Sequence, residues 1–151
     1  MNRALPPTGA NPPQEVRTGA GAVVELMPLA LEICRRYALE FSDEHERYGS
    51  TGEAWCLHDN QYLLAWAIQD ARDGTVDLIE QAMWLRDVLD RRGFPVDRLA
   101  RNLQMAAEVA SGRLPEAPLA QAVAERLAAA AAAVQAGPAT TASARTPDSG
   151  A

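Results

Sequence analysis

Between residues 26 and 136, apolar side chains return every third or fourth position in five successive runs, and glycine or proline separates one run from the next. That period puts them on one side of an α-helix, and strand-like alternation is absent from the pattern. The first run, Leu26, Ala30, Ile33, Tyr37 and Phe41, starts beside Pro28, which suits a first helical turn, and is expected to reach Tyr48 before Gly49. Ser50-Thr51-Gly52-Glu53 has the spacing of a capping box and opens a second helix that stops at Gly74. Asp77-x-x-Glu80 repeats the device for a third, with Leu78, Ala82, Leu85 and Leu89 inward and Gly93-Phe94-Pro95 as its stop. Val96, Leu99, Leu103, Ala106 and Ala110 mark a fourth, closed at Ser111-Gly112. A fifth, from Glu116 to Ala136, carries only the narrow seam Leu119, Val123, Leu127, Ala130 and Val134.

Short links force neighbouring helices to run antiparallel. The expected fold is therefore all-α, an antiparallel four-helix bundle plus a fifth C-terminal helix packed at the edge or on a second copy. The helical bundle domain spans residues 23–136. Residues 1–22 and 137–151, rich in Pro, Gly, Ala, Ser and Thr, read as disordered tails.

Composition narrows the function classes. The net charge is −6, and all 14 basic residues are arginine. The pairs Arg35-Arg36 and Arg91-Arg92 lie among acids and make no basic stripe, so nucleic acid is not an expected partner. No apolar run approaches the roughly 18 residues of a membrane span, and the start of the chain has no apolar signal core, so the expectation is a cytoplasmic protein without a membrane partner. Cys34 and Cys56 are far apart in sequence and lack CxxC spacing. In a cytoplasmic chain they read as reduced, buried thiols.

The second helix holds the densest chemistry. Turned at about 100° per residue, it has a wide apolar arc bearing Trp55, Tyr62 and Trp66, as expected of a helix covered on most sides. Asp59, Asn60 and Asp70 project into that arc. A buried carboxylate needs a partner, so they read either as a structural network with an arginine or as a polar site in an aromatic-lined pocket. The candidate pocket is Trp55, Asp59, Asn60, Tyr62 and Trp66. His58 falls on the polar arc and reads as a rim residue, whereas His45 falls on the core side of the first helix, near Phe41 and Tyr48.

Metal and catalytic patterns are weak. Di-iron bundles repeat Glu-x-x-His on paired helices; Glu53-x-x-Cys56 is the nearest approach and has no second copy. The acidic run Asp43-Glu44-His45-Glu46 reads as a solvated helix end. Neither a Ser/His/Asp set nor a Gly-rich phosphate loop is present. On the third helix Trp84 stands opposite the core stripe, and with Met83, Val88 and Arg91 it makes a candidate interaction face.

The function expected from these features is a non-catalytic interaction or regulatory protein that binds a protein partner or itself and needs no cofactor. The reading from another class is a small-molecule or cofactor binder of haem, tetrapyrrole or metal type, with its pocket at the second helix. The two differ in what they require inside. The first needs a packed interior and an exposed apolar patch; the second needs a closed cavity of a few hundred cubic ångströms (about 300 and upward) with a polar floor.

Overall fold

The computed structural model describes residues 11–138. Within them the chain forms two short strands, β1 (Glu15–Arg17) and β2 (Val23–Glu25), and five helices: α1 (Leu26–Glu40), α2 (Asp43–Asp73), α3 (Leu78–Arg91), α4 (Val96–Arg113) and α5 (Ala117–Ala136). The helical reading of residues 26–136 holds. The parts of the expected tails at 1–10 and 139–151 lie outside the described residues.

The antiparallel hairpin corrects the expectation of a sheet-free chain with a tail through residue 22. Glu15 pairs with Glu25, Val16 with Val24 and Arg17 with Val23. Alternation across the strands leaves Val16 and Val24 buried together while their neighbours face solvent. Gly21, at φ 90°, turns the connecting loop, and the Thr18 hydroxyl accepts a bond from the Ala22 amide at 3.2 Å. Helix residues hold the segment down: Gln61 Nε2 donates to the Pro13 carbonyl at 3.0 Å, and Arg72 Nη1 to that of Arg17 at 2.8 Å. Three-residue strands leave almost no periodic signal, and this pair gains its stability from the helices beneath it.

Several helix boundaries also differ from expectation. α1 ends at Glu40 instead of running to Tyr48, because Phe41 leaves the helical backbone and its ring packs on Tyr37, with centroids 4.7 Å apart. Helix resumes at Asp43 and passes through Gly49, whose φ of 59° and ψ of −148° suit glycine alone and kink α2 there. The expected break at Gly49 is thus real, but it lies inside one longer element. The Ser50 capping box does not start the helix, since Ser42 is its N-cap and the Glu53 carboxylate meets His45. Of the other stops, Gly93 behaves as read, whereas α4 runs through Ser111-Gly112 and ends at Arg113. Gly74 is left-handed at the end of α2, and the Asp77 carboxylate caps α3 by accepting from the Glu80 amide at 3.1 Å.

The core runs through all five helices, with Leu26, Ile33, Leu63, Ile68, Leu78, Leu103 and Val109 fully buried. α1 packs on α2 and α4. The edge position expected for α5 is corrected: it lies along α4 and also touches α2 and α3, and Val123, Leu127, Ala130 and Val134 are fully buried. Ala120, Ala130 and Ala131, buried in and beside that seam, permit close approach, so a narrow stripe serves a helix packed on three others. No helix among the described residues is long and apolar enough to cross a membrane.

Candidate functional site

One face of α2 supplies Gly52, Trp55, Cys56, Asp59, Asn60 and Leu63 to a partly open cavity of about 110 Å³. The spacing 52, 55, 56, 59, 60, 63 is one helical stripe. α3 adds Leu85 and Leu89, the link after it adds Arg92 and Phe94, and α4 adds Arg98, Leu99 and Asn102. Tyr37, Glu44 and Tyr48 complete the wall. A Cβ on Gly52 would lie 2.5 Å from that of Tyr48, so glycine is what lets this tyrosine close in beside the kink.

The floor is a buried amide pair. Asn60 Nδ2 donates to Asn102 Oδ1 at 3.1 Å, and Asn102 Nδ2 returns a bond to Asn60 Oδ1 at 2.9 Å. Asn60 Nδ2 also donates to the Cys56 carbonyl at 3.0 Å and lies 3.6 Å from Cys34 Sγ. Cys34 and Cys56 form a disulfide, their Cα atoms 6.1 Å apart, that joins α1 to α2. This corrects the reading of two reduced thiols. Separate helices bring the two residues together, and nothing in their sequence spacing announces it.

The rim is charged and internally paired. Arg98 Nη1 donates to Glu44 Oε2 at 2.6 Å and Nη2 to Asp43 Oδ1 at 3.1 Å, with the guanidinium 4.5 Å from the Phe41 ring centroid. The Tyr37 hydroxyl donates to the same Glu44 oxygen at 2.8 Å. Burial, reinforced by that carboxylate, pushes the Tyr37 hydroxyl well above its ordinary pKa, and the bond to Glu44 raises that of Arg98. Asp43 and Glu44 are therefore half of an ion-pair cluster, not merely a solvated helix end.

Of the five expected pocket residues, Trp55, Asp59 and Asn60 line the cavity. Asn60 is 1 % exposed and bonded across to α4, as its position in the apolar arc implies. Asp59 is not largely buried as expected; it is partly exposed and lies 3.3 Å from His58 Nδ1. One residue is about 100° of helix, and the inward direction falls on Asn60. Tyr62 and Trp66 are corrected as pocket residues. They stack on each other at 5.4 Å on another side of α2, where the Tyr62 hydroxyl donates to the Asn11 carbonyl at 3.2 Å. Tyr62 thereby seats the N-terminal segment instead.

His58 is neither solvated nor on the cavity wall, which corrects the rim reading: its side chain is 15 % exposed and its ring lies 5.3 Å from that of Tyr62, whereas His45 has a side chain 72 % exposed and meets Glu53 at 3.1 Å on the surface. The core-side placement of His45 carried the phase of α1 past its true end. Asp70 fulfils the structural alternative: Arg126 Nε donates to its Oδ1 at 3.2 Å and the Leu78 amide to its Oδ2 at 2.9 Å. Among the described residues no cluster of three or more His, Cys, Asp or Glu side chains could hold a metal ion. On α3, Trp84 is 40 % exposed with Ile79 at 41 %, Met83 and Val88 are half-buried, and Arg91 is exposed.

Sequence reasoning missed Tyr37, Glu44, Tyr48, Arg98 and Asn102. Only Asn102 left a usable signal, an amide standing three residues after Leu99 inside the apolar stripe of α4. No protein-family model, no curated protein and no solved structure matches this chain.

Proposed function

We propose that this protein binds a compact, largely apolar small molecule in the cavity between α2, α3 and α4. The observation that carries the reading is the combination of an apolar wall with a buried amide pair at its floor. Leu63, Leu85, Leu89, Phe94 and Leu99 supply apolar surface, and Asn60 with Asn102 supplies directional polar groups. Binding sites combine these two features, whereas a merely structural core favours filled space. At about 110 Å³ and partly open, the cavity falls short of the closed space of a few hundred cubic ångströms asked of a cofactor binder; it suits a ligand of one small ring and is far too small for a haem or other tetrapyrrole.

Ring-sized compounds added to isotope-labelled protein are expected to move the resonances of Leu85, Leu89 and Leu99 while leaving α5 signals in place. A panel in which none moves them would overturn the reading.

A second reading is favoured by the exposure of Trp84 and Ile79 on α3, together with Met83, Val88 and Arg91. Large apolar groups left wet support an interaction surface for a protein partner or a second copy of the chain. Two structural expectations belong with these proposals. Links of two to four residues between successive helices support an antiparallel bundle. The Cys34–Cys56 bond favours an oxidising compartment over the cytoplasm.

A further inference from the structure

The buried amide pair is not fully used by the protein, and what remains describes the ligand. A primary amide carries two protons and two oxygen lone pairs. Asn60 directs its protons to the Cys56 carbonyl and to Asn102 Oδ1. Asn102 directs one proton to Asn60 Oδ1, and among the described residues no acceptor takes the other. Yet Asn102 is only 7 % exposed and lines the cavity. A buried N–H without an acceptor is destabilising, so the site favours an occupant that brings one. Both amides are neutral, and of the two arginines on the wall Arg98 is engaged by Glu44 and Asp43 while Arg92 is exposed to solvent, so a ligand at the floor gains most by being uncharged.

We infer that the cavity takes a neutral, single-ring compound bearing an acceptor oxygen, a ketone, aldehyde or alcohol, and that Asn102 Nδ2 donates to that oxygen. The inference rests on the cavity reading above and adds the polar group to it. Asn102 thereby sets specificity, and Asn60 positions it. A site built to hydrogen-bond an oxygen discriminates against the hydrocarbon of the same shape, because that hydrocarbon leaves the donor stranded.

The test compares cyclopentanone with methylcyclopentane, in which a methyl group stands in place of the carbonyl oxygen, using the full chain. Cyclopentanone is expected to bind at least about ten-fold more tightly and to shift the Asn102 side-chain amide resonances. Equal or tighter binding of methylcyclopentane overturns the assignment of an oxygen ligand while leaving the cavity reading standing. Absence of binding by either compound overturns both. A preference for the ketone without movement of the Asn102 amide overturns the role of Asn102. Asn102→Leu alone strands Asn60 and risks unfolding, so the second variant replaces both partners, Asn60→Leu with Asn102→Leu. It is expected to fold and to lose the preference, and a preference retained there overturns the inference.

Discussion

Asp70 shows how one side chain can join three helices. From α2 it accepts the first backbone N–H of α3 and pairs with Arg126 of α5. Leu78 is fully buried, so its amide has no water to turn to. Asp70→Ala is therefore expected to cost about 1–3 kcal/mol, the range for stranding a buried donor, as measured by urea denaturation. Asp70→Asn, which keeps an acceptor oxygen, should recover part of it.

Glu32 makes the corresponding prediction for pH. Hydrogen bonds from Arg35 and Arg36, with Arg113 nearby, hold its carboxyl down to about 2 from an ordinary 4.5. A carboxylate with a depressed pKa in the folded state stabilises the protein above its unfolded value and loses that contribution as pH falls through the folded one. The urea midpoint should therefore drop as pH falls from 4.5 to 2. Glu32→Gln should flatten that part of the profile. Wild-type and variant profiles of equal slope there would disprove it.

At the scale of elements, α5 and the outer face of α3 make opposite claims on stability. Leu127 is fully buried in the seam of α5, and Leu127→Ala is expected to cost about 2–5 kcal/mol. Trp84 stands partly in solvent on α3, and Trp84→Ala should change the melting temperature little. If Trp84 belongs to an interface, the same substitution weakens self-association or partner capture, read by sedimentation and pull-down. A loss of several kcal/mol in folding stability would instead make Trp84 a core residue. The two variants also test the placement of α5, because an edge helix would tolerate the leucine change.

For the whole molecule, the Cys34–Cys56 bond acts mainly on the unfolded chain. It closes a loop across 22 positions, which in the chain-entropy account stabilises the fold by about 3 kcal/mol. Reduction, or a paired change of Cys34 and Cys56 to Ala, is expected to lower stability by that order in equilibrium denaturation. Two thiols titratable in the native, unreduced protein would show that the bond does not form.

Helix number, most stops and the inward stripes follow from local rules, since period, capping side chains and glycine act within a few residues. Asn60 was legible for the same reason, as a polar group in an apolar arc. What separated Asn60 from Asp59, moved Tyr62 and Trp66 off the cavity and put Asn102 on its floor was the packing of α4 and the N-terminal segment against α2. The same holds for the disulfide, the hairpin and the central place of α5. Each depends on which distant surfaces meet, and a helical period shows that a face is apolar without showing what covers it.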